Sequence, residues 1–164
     1  MIQDHVMKVG MADLNVMKPG GVLKTTGLGS CVGLTLYDTR TQVAGMAHVM
    51  LPSSEIAKEG SLNLAKYADT AIPELIRRMT ELGASLSRMV AKMAGGAQMF
   101  AFSSGNDTLR IGPRNVESCK AMLEQYQIPL LAEDTGSNYG RTIEFQAETG
   151  ILIIRSVQQG VKEI

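Results

Sequence analysis

Cysteine is scarce in this chain. Two thiols, Cys31 and Cys119, are a poor basis for a disulfide framework, and both are expected to be free in a reducing compartment. There is no CxxC pair and no His/Cys cluster, which argues against a zinc site. Charge of one sign is also lacking: 16 Lys and Arg balance 16 Asp and Glu. Nothing in this balance suggests electrostatic capture of nucleic acid or of an anionic membrane. No apolar run approaches the roughly 20 residues that span a bilayer. The opening stretch, MIQDHVMKVGMAD, has neither the basic start nor the long apolar stretch of a signal peptide. The expected location is cytoplasmic, without membrane insertion. Repeats, low-complexity tracts and Pro- or Ser-rich linkers are missing too. Residues 1–164 are thus expected to form a single domain.

What is present is an ordinary globular composition. The 164 residues are 45% apolar and 20% charged, enough to bury a full core without disulfides or metals. Extended segments are predicted at Val6–Val9, Val22–Thr26, Val32–Tyr37 and Gln42–Met50. A long helix is predicted over Ser61–Leu82, where Leu64, Ala68, Ala71, Leu75, Met79 and Leu82 recur at helical spacing. Pro73 falls inside it and predicts a kink or a break. A strand over Arg88–Met93 leads to Gly95-Gly96. A second helix is predicted over Asn115–Tyr126, capped by Asn115, with Pro113 just outside. Extended runs at Ile128–Glu133, Arg141–Ala147 and Ile151–Val157 close the chain, the last reading as a buried strand. The expected fold class is α/β or α+β, a layered sandwich of mixed sheets with helices.

The stretch GLGSC, Gly27 to Cys31, puts a thiol straight after a glycine-broken turn. The segment from Cys31 to Leu51 reads as two strands around a turn at Asp38-Thr39-Arg40-Thr41. A hairpin centred between Thr39 and Arg40 would set Cys31 directly opposite His48, with Cβ atoms about 4.5–5.5 Å apart. Parity places both on the face opposite Val32, Leu34, Leu36, Val43 and Val49. They share that face with Gly33, Thr35 and Met46. The turn lacks the Asn-Gly or Asp-Gly signature of a tight hairpin, and a bulge would move the register. Chemically, an imidazole beside a thiol can take its proton and create the nucleophile. Small residues before the thiol, Gly27, Gly29 and Ser30, let backbone N–H groups approach a tetrahedral intermediate. A third group usually orients the imidazole; Thr25 and Thr26 are the nearby candidates. A buried small hydrophobe is the common fate of cysteine, so spacing alone leaves both readings open. A phosphate-cradling glycine loop is a poor reading, because no Lys-Ser/Thr follows and no G-x-G-x-x-G is completed.

The blocks TTGLGSCVGLTLYD and GMAHVMLP resemble the signature of the CheD family, the chemoreceptor glutamine deamidases. KYADTAIPEL, AKMAGGAQMF, IGPRNV and DTGSNYGRTIEF follow in the order of that family's later blocks. The resemblance implies hydrolysis of selected glutamine side-chain amides on methyl-accepting chemotaxis receptors, with glutamyl methylesterase activity in some members. It implies Cys31 as nucleophile, His48 as its base and Thr25 as the third member. No cofactor or metal is implied. It further implies a fold related to cysteine-dependent deamidase toxins and a partner, the chemotaxis phosphatase CheC. Pro113 in IGPRN departs from the more polar residue expected there, a loop detail.

Two other readings are weighed beside this one. The chain could be a non-catalytic adaptor that binds and stimulates CheC, or a thiol redox sensor, although no resolving cysteine lies near Cys31. Cys119 is expected in the core. Most of the 11 methionines are expected as core filler, and His5 has no expected role. Gly95 and Gly96 read as a structural turn that could border the cleft. Phe100 and Phe102 read as a partner surface or as partly buried.

Overall fold

The computed structural model describes residues 5–56, 62–99 and 110–164. Phe100 and Phe102 lie outside the described residues. In chain order the strands are β1 (His5–Lys8), β2 (Leu14–Met17), β3 (Gly21–Leu28), β4 (Val32–Asp38), β5 (Ala44–Val49), β6 (Met89–Gly95), β7 (Leu130–Thr135), β8 (Arg141–Gln146), β9 (Ile151–Ser156) and β10 (Gly160–Glu163). The helices are α1 (Ala68–Glu81), between β5 and β6, and α2 (Ile111–Gln125), between β6 and β7.

The strands form two five-stranded sheets. One has the order β1-β3-β8-β9-β10 and the other β2-β5-β4-β6-β7. Each mixes parallel and antiparallel pairs: β1 with β3 and β6 with β7 run parallel. The second sheet lies in the middle. One of its faces packs Val32, Leu34, Leu36, Ala47 and Val49 against α1 and α2. Its other face meets the first sheet, where Tyr37, Met46 and Ala94 pack with Leu23, Leu28, Ile143, Phe145 and Leu152. The result is a three-layer α+β sandwich of helices, central sheet and outer sheet, as the alternation along the strands predicts.

The differences from sequence expectation have local causes. The first helix begins at Ala68 and leaves Leu64 outside; Ser61 lies outside the described residues. Pro73 does not break it, because the carbonyl deprived of a donor belongs to Asp69 in the first turn. The second helix begins at Ile111, so Pro113 lies inside its first turn, where helical N–H groups have no partner anyway. Strands β2 and β10 went unread. The first is four residues long, and the second is exposed throughout, so neither carries a usable hydrophobic alternation.

Candidate active site

The site is built on the β4–β5 hairpin, and its turn decides the register. Asp38 is fully buried and takes the backbone N–H groups of Arg40 and Thr41 on Oδ1. Gln42 adopts a left-handed conformation, φ 60°, and the Asp38 N–H closes onto Val43 O. The loop thus spans Thr39 to Gln42, one residue beyond the turn centre that the sequence predicts. The ladder pairs Val32 with Val49 and Gly33 with His48. Cys31 is therefore not opposite His48, as expected, but two residues along the chain from the position that is. A two-step change keeps parity, so both side chains remain on the face turned toward the outer sheet. Diagonal neighbours of this kind have Cα atoms about 7–8 Å apart, with Cβ atoms somewhat closer.

Thr25 comes from the other layer. It lies on β3 of the outer sheet, just before a register shift between Thr25 and Leu28. Gly27 supplies the positive φ that this irregularity needs. Thr25 is 2% exposed and its Oγ1 stands 2.7 Å from His48 Nδ1 across the gap between the sheets. Of the two threonines left open by the sequence, Thr26 is exposed and Thr25 meets the imidazole.

The same hydroxyl decides the histidine tautomer. Thr25 Oγ1 donates at 2.7 Å to Val9 O, which can only accept. A hydroxyl has one proton, so toward His48 it acts as acceptor and Nδ1 must carry the hydrogen. The lone pair is then on Nε2. That nitrogen is buried and has no hydrogen-bond partner, and His48 as a whole is 0% exposed. A basic nitrogen with an uncommitted lone pair thus sits on the face that carries Cys31.

Burial sets the protonation states. It pushes the His48 pKa below the ordinary 6.5 and the Cys31 pKa above the ordinary 9.0. Both shifts disfavour the charged form. At neutral pH the resting site holds a thiol and a neutral imidazole. Cys31 is 8% exposed, at the margin of the inter-sheet core. Cys119, by contrast, is fully buried in the helix-side core, and its pKa is pushed up to about 12 by that burial. It is inert packing, as expected.

The chain around Cys31 is held by close backbone approaches. Gly96 N–H donates to Cys31 O at 2.8 Å and Ala97 N–H to Gly29 O at 2.9 Å. Gly95 and Gly96 both have positive φ, and a Cβ on Gly95 would collide with Cys31 O. The glycine pair braces the Cys31 backbone as well as forming a turn. Gly29 N–H turns back onto Gly27 O at 3.1 Å, which commits one amide the sequence had offered for an oxyanion. Asn115 does not cap its helix. It is 0% exposed within α2, and its Nδ2 donates to both Ser30 O and Met50 O at 3.0 Å. Its sequence signal, an Asn ahead of a periodic run, is also that of a cap, and only tertiary packing separates the two. Among the described residues no group of three or more His, Cys, Asp or Glu side chains is placed to hold a metal. No described helix is long and apolar enough to cross a membrane.

The family model for CheD, described as chemotactic sensory transduction, matches residues 50–156. The chain is similar to a probable chemoreceptor glutamine deamidase CheD of Lachnoclostridium phytofermentans, 58% identical over 98% of this chain and 99% of that one. It is 57% identical to the chemoreceptor glutamine deamidase CheD of Halalkalibacterium halodurans, again over 98% and 99%. With the Bacillus subtilis protein of that name, identity is 50% over 97% and 96%. On this evidence the chain belongs to the CheD family.

Proposed function

We propose that this protein hydrolyses the side-chain amide of glutamine residues on methyl-accepting chemoreceptors, with Cys31 as nucleophile, His48 as general base and acid, and Thr25 as the group that orients His48. The observation that carries this reading is the imidazole. Thr25 holds its Nδ1–H from the opposite sheet, and the buried Nε2 lone pair is left free on the face that carries Cys31. The curated relatives' names supply the substrate.

The steps follow from this arrangement. As the thiol sulfur attacks the glutamine side-chain carbonyl carbon, its proton passes to His48 Nε2. Because both groups rest neutral, transfer accompanies attack; no thiolate waits beforehand. The imidazolium, steadied through Nδ1–H by Thr25, then gives the proton to the departing nitrogen. Ammonia leaves and a γ-glutamyl thioester remains on Cys31. His48 next takes a proton from water as the oxygen attacks the thioester. Carbon–sulfur cleavage returns that proton to sulfur and releases glutamate. The same acyl chemistry admits a glutamyl methyl ester, with methanol leaving in place of ammonia.

The test is mass spectrometry of a receptor cytoplasmic fragment incubated with the protein, together with an ammonia assay. Conversion of glutamine to glutamate with wild type and none with Cys31→Ala is the expected result. Conversion by Cys31→Ala would remove the cysteine mechanism. A Cys31→Ala chain that still stimulates a CheC-type phosphatase would show that binding role to be separable from catalysis.

A further inference from the structure

We propose that Asn115 is a positioning residue for this reaction, its side-chain amide fixing the nucleophile's strand against the base's strand where their ladder stops. The proposal rests on the assignment of Cys31 and His48 to the chemistry.

The β4–β5 ladder ends at the pair Val32–Val49. Both groups of interest sit at that frayed end: Cys31 just outside β4, and His48 one residue inside the end of β5. Backbone pairing therefore does not set the spacing of the two chains beyond this point. Asn115 does. Its Nδ2 reaches Ser30 O, the carbonyl immediately before Cys31, and Met50 O, two residues after His48. Two carbonyls can be met only by the amide NH2, so the orientation of the group is dictated by its partners.

Other contacts hold one side or the other. Gly96 and Ala97 bind the carbonyls of Cys31 and Gly29, while Ser118 Oγ donates to Pro52 O at 2.7 Å. Of these groups Asn115 alone joins both chains. The fold accepts a cost for it. Asn is a poor residue inside a helix, and Asn115 Oδ1 is buried with no hydrogen-bond partner. A side chain chosen for stability would not leave half its polar capacity unmet in the interior. Placement of the two carbonyls is what the amide supplies.

Asn115→Ala removes both donors. Small misplacements of reacting groups cost up to about 10²-fold, so kcat on the receptor fragment is expected to fall about 10- to 10²-fold with KM little changed. The rate of iodoacetamide alkylation at Cys31, followed against pH, should shift with it. Ser118→Ala serves as control: it removes the neighbouring α2 anchor and should lower the melting temperature while leaving kcat and the alkylation profile in place. If Asn115→Ala does not fold, Asn115→Ser, which keeps one donor, is read in the same way. Wild-type kcat and an unmoved alkylation profile in the Asn115 variant would overturn the proposal, as would an equal kcat loss in Ser118→Ala. The alkylation profile does not require turnover. Absence of any Cys31-dependent deamidation by wild type would therefore count against the catalytic assignment, while the profile still decides whether Asn115 places Cys31.

Discussion

The two faces of the central sheet are made by the same strands and are chemically unlike. Toward the helices, Val32, Leu34, Leu36, Ala47 and Val49 meet Ile72, Leu75 and Met79 in an apolar layer. Toward the outer sheet, the alternate residues include Tyr37 and His48, the latter met across the gap by Thr25. Tyr37 itself donates to Ala147 O at 2.8 Å and packs edge-on to Phe145 at 5.3 Å between ring centroids. The period of two lets one hairpin present an apolar face on one side and the proposed catalytic groups on the other. Thr35 on the same face donates to Lys92 O at 2.9 Å, whereas His48 Nε2 is buried with no hydrogen-bond partner.

Neighbouring residues offer the sharpest test of this division. Cys31→Ala is expected to abolish deamidation and to change the melting temperature little, since only one sulfur at the core margin is lost. Val32→Ala, the next residue, is expected to cost about 2–3 kcal/mol in denaturant unfolding and to leave kcat per folded molecule near wild type. If Cys31→Ala unfolds the chain, or Val32→Ala removes kcat while the protein remains folded, the two faces are not separable in this way.

Breaking the hairpin's turn should act on both faces at once. Asp38 is desolvated, which alone would raise its pKa. The Arg88 guanidinium and the backbone N–H groups of Ser85, Arg40 and Thr41 outweigh that and hold it well below the ordinary 3.8. A depressed acid pKa stabilises the fold above the unfolded value and loses that contribution as pH falls through the folded one. Asp38→Asn should cost about 2–3 kcal/mol, because an amide in the buried Asp38 position cannot accept from all of the Arg88, Ser85, Arg40 and Thr41 donors that the carboxylate serves. The pH dependence of unfolding should flatten at the acid end, as followed by circular dichroism.

A smaller effect is expected from Thr25→Val, which keeps the shape and removes the acceptor. The buried Nδ1–H then has no partner, costing about 1–3 kcal/mol, and kcat should fall roughly tenfold. Nuclear magnetic resonance of the imidazole would show the tautomer no longer fixed. An unchanged tautomer would mean that Thr25 does not set it.

The least disruptive test is pH alone. A neutral resting pair predicts that activity persists to a pH below 6.5, because burial lowers the His48 pKa. It also predicts that Cys31 alkylation rises only above pH 9.0, because burial raises the thiol. A fast alkylation plateau at neutral pH would instead indicate a preformed ion pair. Stability carries the same sign: unfolding takes up a proton at His48 below 6.5, so acid destabilises the fold.

Much of this was readable from residues, and what was not has physical reasons. The alternation of Val32, Leu34 and Leu36 reveals the strand and its buried face, and parity correctly puts Cys31 and His48 together on the other. The pairing register failed because it hung on the turn centre, and Asp38's capping of two N–H groups moved that centre by one residue. Thr25 could be nominated by proximity, but its contact with His48 crosses two sheets 23 residues apart in the chain, a distance local pattern does not encode. Asn115 was visible as a polar residue near a helix start. Its actual partners, Ser30 and Met50, lie 85 and 65 residues away.

The bond between Thr25 and His48 has one more consequence. It is a contact between layers, not within one, so neither sheet alone contains an oriented imidazole. Any loosening that lets the layers part, even with every strand intact, would leave the imidazole free to turn. Turnover in this protein should therefore fade before its circular dichroism does on mild heating, reporting the closure of the sandwich.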